Sequence, residues 1–187
     1  MEQPTRQYSF KIVVLGDWAV GKTSLVRRHA KGKFTFDTKA TIGVDVTTKQ
    51  YRLEGGITIT LAIWDVAGQE FWSSVRHQYY GGANAAILVF DLTRPESFWH
   101  IKAWYVDLRD NLGQKVPVVL LGNKTDLPDQ RAVTLGEASE LADGYGFKYF
   151  ETSAATSENV DRAFYNLLAQ IIISKKIGMD VFGIREV

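Results

Sequence analysis

Eight residues near the start of the chain have the types and the spacing needed to hold a phosphate group. They run from Gly16 to Thr23 as GDWAVGKT, which fits the pattern G-x-x-x-x-G-K-[ST]. The glycines let the backbone wrap closely enough for successive N–H groups to point at phosphate oxygens. Lys22 can supply a positive charge to the outer phosphates, and Thr23 a hydroxyl to the Mg²⁺ ion that accompanies them. The predicted phosphate contacts are Asp17, Trp18, Ala19, Val20, Gly21, Lys22, Thr23 and Ser24.

The segments on either side of this loop support the same interpretation. Residues 9–15 form an apolar run typical of a buried strand, and residues 24–30 continue as a helix. The positive end of the helix dipole then faces the bound anion. A simple glycine-rich turn is the alternative, and the strand before it and helix after it make that alternative a minor one.

A second polar segment can recognise the base, which a phosphate-binding loop does not contact. Asn123, Lys124, Thr125 and Asp126 follow the apolar run 116–122. The Asp126 carboxylate can accept two hydrogen bonds from the N1–H and the exocyclic amine of guanine, and adenine lacks that pair of donors. The aliphatic stem of Lys124 can cover the base or the sugar. The alternative is a polar turn after a strand, because Asn and Asp favour turns in any protein.

A third segment, at the end of the predicted strand 147–151, can contribute to the same base site. Backbone N–H groups of Ser153, Ala154 and Ala155 can meet the guanine carbonyl. By itself a Ser-Ala pair carries almost no information. Its place after that strand, and after the other two motifs, makes it corroboration.

Length and composition limit the remaining function classes. The chain has 187 residues, a formal net charge of +1 and no cysteine. This length fits one domain, and the mixed charges give no basic face for nucleic acid. The absence of cysteine excludes a disulfide framework, a thiolate zinc site and lipidation on cysteine in this sequence. We therefore expect a cytoplasmic protein with no lipid anchor, and a peripheral membrane location only if a lipidated tail lies beyond this sequence.

Strand-like and helix-like segments alternate along the chain, which predicts an α/β fold with a mostly parallel sheet. Residues 43–53 and 57–65 are joined by three residues only, so they should form an antiparallel hairpin. The other predicted strands are 84–91, 116–122 and 147–151. Further helices are predicted near 72–80, 95–111, 134–144 and 156–175. We expect an N-terminal extension at 1–7, one domain at 8–176 and a tail at 177–187.

With these motifs in order, the chain resembles the small GTPases of the Ras superfamily, and within them most closely the Rab family. The resemblance covers about residues 8–175 and includes TIGVD at 41–45, IWDVAGQE at 63–70, YYGGA at 79–83 and LVFDLT at 88–93. It implies the fold of a phosphate-loop NTPase G domain, with a six-stranded sheet and five helices. It also implies GTP and GDP as ligands, Mg²⁺ as cofactor, and a switch cycle involving effector, exchange-factor and activating proteins. We expect a monomer.

The resemblance also implies roles for individual residues. Asp65 and Thr41 match residues that serve the magnesium site together with Thr23, and Gly68 matches the residue whose N–H meets the γ-phosphate. Gln69 matches the catalytic residue that orients the attacking water. Phe34 matches an aromatic residue that packs edge-on against guanine. For Thr41 the alternative is a β-branched residue that starts a strand, and for Phe34 it is a surface aromatic.

The most unusual residue is Trp18, because the family usually has glycine or another small residue there. Two orientations are open: the ring lies over the γ-phosphate and Gln69, obstructing an activator's arginine, or it turns outward and packs on a switch loop. The main prediction is a GTPase that hydrolyses GTP slowly. A pseudo-GTPase that only holds guanine nucleotide is the alternative, and an ATP-dependent enzyme is disfavoured by Asp126.

Overall fold

The structure is a computed structural model that describes residues 6–32, 41–68 and 77–177. Six strands form one sheet: β1 (Arg6–Leu15), β2 (Val44–Leu53), β3 (Ile57–Val66), β4 (Ala85–Asp91), β5 (Val118–Asn123) and β6 (Lys148–Thr152). Five α-helices occur in these ranges: α1 (Lys22–Lys31), α2 (Pro95–Trp99), α3 (Ile101–Leu112), α4 (Leu135–Tyr145) and α5 (Val160–Ser174). Short 3₁₀ turns lie at Glu54–Gly56, His77–Tyr79 and Pro128–Gln130.

The strand order is β2-β3-β1-β4-β5-β6, and only the β2–β3 pair is antiparallel. The short Glu54–Gly56 connection explains this, since a parallel pair needs a much longer crossover. The predicted α/β fold with one antiparallel hairpin strand is therefore confirmed. The predicted helix 72–80 lies mostly outside the described residues.

Side chains alternate along the strands, so the sheet has two apolar faces. Helices cover both faces. On one face, Ile12 and Val14 of β1 pack in a cluster with Leu25 of α1 and Phe164 of α5. On the other face, Val13 and Leu15 belong to a second cluster, which includes the following residues of α3 and α4: Trp104, Leu108, Ala138 and Ala142. The carboxyl ends of the five parallel strands lie side by side at one end of the sheet.

Local interactions explain where two helices begin and where a third predicted helix is interrupted. Thr134 and Glu137 form a capping box, in which each side chain bonds the other residue's backbone N–H, and α4 begins there. The last helix begins at Val160 and not at 156, because Ser157 and Asn159 have φ of 75° and 51°. The predicted helix 95–111 is interrupted at His100, whose N–H is shared between the carbonyls of Glu96 and Phe98.

No helix within 6–32, 41–68 and 77–177 is long and apolar enough to cross a membrane.

Candidate functional site

The phosphate-binding loop lies between the end of β1 and the start of α1, and two glycines fix its path. Gly16 has φ +140°, and a Cβ there would lie 2.1 Å from the carbonyl oxygen of Val89 on β4. Gly21 has φ +97°, and a Cβ there would lie 2.2 Å from Asn123 Nδ2. Only glycine fits these positions, because the backbone needs both the left-handed conformation and the space. The loop is therefore pressed against β4 and against the end of β5.

Lys22, the first residue of α1, is folded back over this loop. Its side chain is buried, and its Nζ donates to the carbonyl oxygens of Gly16 at 2.8 Å and Asp17 at 2.6 Å. Burial lowers the pKa of Lys22 to about 8, while the charges of Asp65 and Asp17 oppose that shift. The structure thus holds a partly desolvated ammonium group at the loop. Its electrostatic attraction for a bound anion is stronger there than in bulk water.

Two hydroxyls and a carboxylate converge beside the loop, as the sequence predicts. Thr23 Oγ1 donates to Asp65 Oδ2 and lies 2.9 Å from Thr41 Oγ1. Asp65 is 1% exposed, and burial raises its pKa, although Lys22 and the Thr23 hydroxyl pull it down. Its other oxygen, Oδ1, is buried without a hydrogen-bond partner among the described residues. A buried carboxylate oxygen without a partner normally has an explanation, such as an ion.

The donor set fits magnesium better than a transition metal. Mg²⁺ prefers oxygen ligands and keeps several waters, so one carboxylate and two hydroxyls beside a phosphate are sufficient. The described part of the chain has no group of three or more His, Cys, Asp or Glu side chains placed to hold a metal. Thr23, Thr41 and Asp65 are therefore the residues suited to hold Mg²⁺.

Gly68 lies against the phosphate-binding loop. A Cβ on Gly68 would meet the carbonyl carbon of Asp17 at 2.4 Å and the backbone nitrogen of Trp18 at 2.5 Å. The backbone of the segment after β3 therefore reaches the loop directly. Gln69 is the next residue and lies outside the described residues, as does Phe34.

Asn123 links three parts of the predicted nucleotide site. Its Nδ2 donates to Val20 O at 2.9 Å, on the phosphate-binding loop. Its Oδ1 accepts from the backbone N–H of Ala154 and from Thr152 Oγ1, both at 3.3 Å. Asn123 is buried, so all three bonds are protected from water. Asn123 thus connects the phosphate-binding loop to the loop after β6 by hydrogen bonds.

Apart from Phe34, the other predicted base-binding residues lie together just after β5 and β6. Ser153 Oγ donates to Asp126 Oδ1 at 2.5 Å and accepts from the backbone N–H of Thr156. Lys124 has φ +77° and its Nζ forms a 2.6 Å ion pair with Asp91 Oδ2. Asp91 is the buried last residue of β4, and sequence reasoning missed it. An acidic residue ending an otherwise apolar strand was the available signal.

The Trp18 ring is turned outward, as in one of the two predicted orientations, and the switch segments on which that orientation packs it lie mostly outside the described residues. Its side chain is 61% exposed, and the Arg94 guanidinium lies 5.1 Å from the ring centroid. Arg94 Nη2 also donates to Trp18 O at 2.6 Å. The ring thus packs on the residue just before α2.

The preceding residue, Asp17, is held from the same side. Its carboxylate pairs with His100 Nδ1 at 2.7 Å and accepts from Trp104 Nε1 at 2.8 Å. Nothing in the sequence pattern pointed to Arg94, His100 or Trp104, because they lie 76 to 87 positions from the loop residues they contact.

Comparisons with known proteins agree with this geometry. A model of the Ras family matches residues 11–173. The chain is 44% identical to the Ras-related protein RABA4b of Arabidopsis thaliana over 88% of this chain and 73% of the relative. It is 42% identical to Rab11D of Nicotiana tabacum over 90% of this chain and 77% of the relative. It is 39% identical to Rab-11A of Dictyostelium discoideum over 90% of this chain and 78% of the relative. The chain therefore belongs to the Ras family and is a Rab-like small GTPase.

Proposed function

We propose that this GTPase is a Mg²⁺-dependent switch that binds GTP and GDP, hydrolyses GTP slowly, and presents its nucleotide state through segments 33–43 and 66–80. The observation that carries this proposal is the buried Oδ1 of Asp65, which has no hydrogen-bond partner in the described part of the chain and lies beside the hydroxyls of Thr23 and Thr41. These groups lie at the loop that also holds the Lys22 ammonium. One carboxylate, two hydroxyls and one cation at a helix N-terminus form a site for a metal–triphosphate.

Within this site the chain's own residues have separate tasks. Lys22 provides positive charge for the outer phosphate oxygens, and the backbone N–H groups of residues 17–24 bind the others. Thr23, Thr41 and Asp65 would hold Mg²⁺, which neutralises phosphate charge when bound. Gly68 contributes its N–H to the γ-phosphate, since its backbone already lies against the loop.

Gln69 is the proposed catalytic residue. It directly follows Gly68 in the sequence, and the Gly68 backbone lies against the phosphate-binding loop. Its amide would orient the attacking water, and phosphoryl transfer depends mainly on such positioning. Without an arginine from a partner, such sites turn over on the order of 10⁻⁴ s⁻¹.

Guanine would be recognised at the opposite end of the site. Asp126 would accept from N1–H and the exocyclic amine, Lys124 and Phe34 would cover the base, and the loop of Ser153, Ala154 and Ala155 would face the carbonyl. The Asp91 ion pair and the Ser153 hydroxyl hold Lys124 and Asp126 in place.

The role in the cell is proposed by analogy with the Rab family. We place the switch unit within residues 8–176, acting as a monomer in vesicle trafficking in the cytoplasm or at a membrane facing it. Effector, exchange-factor and activating proteins would bind at the two switch segments, because those segments respond to the γ-phosphate.

The direct test is single-turnover hydrolysis by the purified chain loaded with GTP, started with Mg²⁺ and followed as GDP by chromatography. We expect slow GDP formation that is lost in Gln69→Leu and retained in Gln114→Leu, a matched change at an exposed residue between α3 and β5. Equal hydrolysis by both variants would remove Gln69 from the mechanism.

Base preference is tested separately by competing GTP or ATP against bound labelled GDP. GTP should displace it and ATP should not. Asp126→Ala should weaken GTP binding, and Asp129→Ala, at an exposed residue three positions further on, should not. Displacement by ATP at the same concentration as GTP would contradict guanine recognition.

A second candidate function is a binding module that keeps its nucleotide without efficient hydrolysis. The observation in its favour is the indole of Trp18, which is exposed on the loop and fixed there by Arg94. Although the ring is turned outward, an indole on this loop would leave an approaching activator's arginine less room than the small residue usual in the family. Trp18→Gly should then respond more strongly to an activating protein than the parent chain. Equal rates for the two, with and without activator, would reject the obstruction.

A further inference from the structure

Arg28, on α1, contacts the loop after β6, which belongs to the proposed guanine site. Its Nε donates to Ala154 O at 2.9 Å, and its Nη2 donates to Ala155 O at 2.8 Å. Two donors of one planar group thus hold two successive carbonyls of the loop after β6. The guanidinium fork is suited to this, because its N–H groups have fixed directions.

The third nitrogen of the same group bonds to the residue at the end of α1. Arg28 Nη1 donates to Gly32 O at 3.3 Å, and Gly32 is the residue that ends α1 with φ 64°. Gly32 also donates its own N–H to Arg28 O at 2.9 Å. Phe34, the aromatic residue proposed to cover guanine, comes two positions later in the sequence. Arg28 therefore joins the end of α1 to the loop of Ala154 and Ala155.

The bonds from Arg28 to the carbonyls of Ala154 and Ala155 also fix the directions of neighbouring N–H groups. A carbonyl oxygen and the next residue's N–H belong to one rigid peptide plane. Fixing Ala154 O therefore fixes the direction of the Ala155 N–H, and fixing Ala155 O fixes the direction of the Thr156 N–H. The Thr156 N–H donates to Ser153 Oγ at 3.0 Å, which closes the loop on itself.

We propose that Arg28 is a positioning residue for recognition of the guanine 6-oxo group. It aims the backbone N–H of Ala155 at that oxygen and keeps the loop's distance from α1 constant. This inference rests on the guanine site proposed above. It concerns the base site alone, through the contacts of Arg28 with Ala154, Ala155 and Gly32.

The test uses three diphosphates that differ only in the base. 6-Thioguanosine diphosphate keeps the N1–H and the 2-amine that Asp126 would bind but replaces the 6-oxo oxygen with sulfur, a weaker acceptor. Inosine diphosphate keeps the 6-oxo group and lacks the 2-amine. Equilibrium affinities of the full chain for GDP and these two analogues are measured with Mg²⁺ at saturation.

For Arg28→Met we expect about tenfold weaker GDP binding, which equals about 1.4 kcal/mol. The preference for GDP over the 6-thio analogue should fall by about three- to tenfold, the range expected for loss of a net hydrogen bond. The preference for GDP over inosine diphosphate should stay at the parent value. Arg109→Met, at an exposed arginine of α3, is the matched control and should change neither preference.

An Arg28→Met chain with both preferences at the parent values overturns the proposal, and so does an equal fall in both, which would indicate general loosening of the site. If Arg28→Met does not fold, the same ratios are read on Arg28→Lys. Lysine keeps the charge and the stem but cannot hold two carbonyls with a fixed fork, so the 6-thio ratio should still fall. Failure of the proposed function would appear differently, as a parent chain that binds ADP as well as GDP.

Discussion

His29 gives the chain a pH-dependent stability whose size follows from its surroundings. The ring is 2% exposed on α1 and stacks on Phe164 of α5, with centroids 4.0 Å apart. Its Nδ1 lies 2.5 Å from Asp161 Oδ1, and its Nε2 lies 2.5 Å from the Tyr51 hydroxyl. Burial lowers the pKa of His29 from 6.5 to about 4, with Asp161 opposing the shift and Lys49 adding to it.

The sign of the effect follows from proton uptake. Above pH 6.5 His29 is neutral in both states, and its full contribution to stability is present. Between pH 6.5 and 4 the unfolded chain binds a proton that the folded chain does not. The free energy of unfolding therefore decreases as the pH is lowered through this range. The difference between the two pKa values corresponds to a loss of about 3 kcal/mol in the free energy of unfolding across that range. About 2 kcal/mol of this stability is lost by pH 5.

The assay is urea unfolding at several pH values from 4.5 to 7.5, with nucleotide and Mg²⁺ held in constant excess. Other groups titrate in this range, so the informative quantity is the difference between the parent chain and His29→Phe. That difference should move by about 2 kcal/mol in favour of His29→Phe between pH 7 and pH 5. Parallel curves for the two chains would refute the reasoning.

Two neighbours provide controls of opposite sign. Lys49→Met removes a charge that lowers the pKa of His29, so the pH dependence should become shallower. Asp161→Asn removes a partner that raises the pKa, so the dependence should extend to lower pH. The contacts of Tyr51 and Tyr165 with the ring remain in both variants.

Three further outcomes are expected. Gly16→Ala should abolish tight nucleotide binding, because its Cβ would lie 2.1 Å from Val89 O; Gly136→Ala, where nothing lies within 4 Å, should leave binding intact in the same titration. Asp91→Asn should speed dissociation of fluorescent GDP by weakening the Lys124 ion pair, and Asp110→Asn, at an exposed pair, should leave the rate unchanged. Phe164→Ala should lower the free energy of unfolding by about 3–5 kcal/mol in urea, since the ring is fully buried; a loss below about 1 kcal/mol would contradict its place in the core.

The fold was largely predictable because its signals are local. Buried strands such as β4 appear as continuous apolar runs, and the three residues between β2 and β3 allow only a hairpin. The errors were also local. Asn159 adopts positive φ and delays the start of α5, and the shared hydrogen bond at His100 interrupts the helix predicted over 95–111.

The sequence by itself determined which chemical groups are present and in what local frame. A phosphate-binding loop carries its own pattern, because its glycines, Lys22 and Thr23 act within one turn of backbone. The same holds for Asn123 and Asp126 at the end of a strand. Motifs of this kind consist of residues close together in the sequence, so they can be recognised without the tertiary structure.

Tertiary structure alone decided which distant groups meet. The sheet order brings Asn123 to Val20 and Ala154, Arg28 to the loop after β6, and Arg94 to Trp18. These contacts join residues that lie 31 to 127 positions apart. Such pairs leave no periodic signal, because their proximity depends on how six strands are ordered and how closely the helices pack on them.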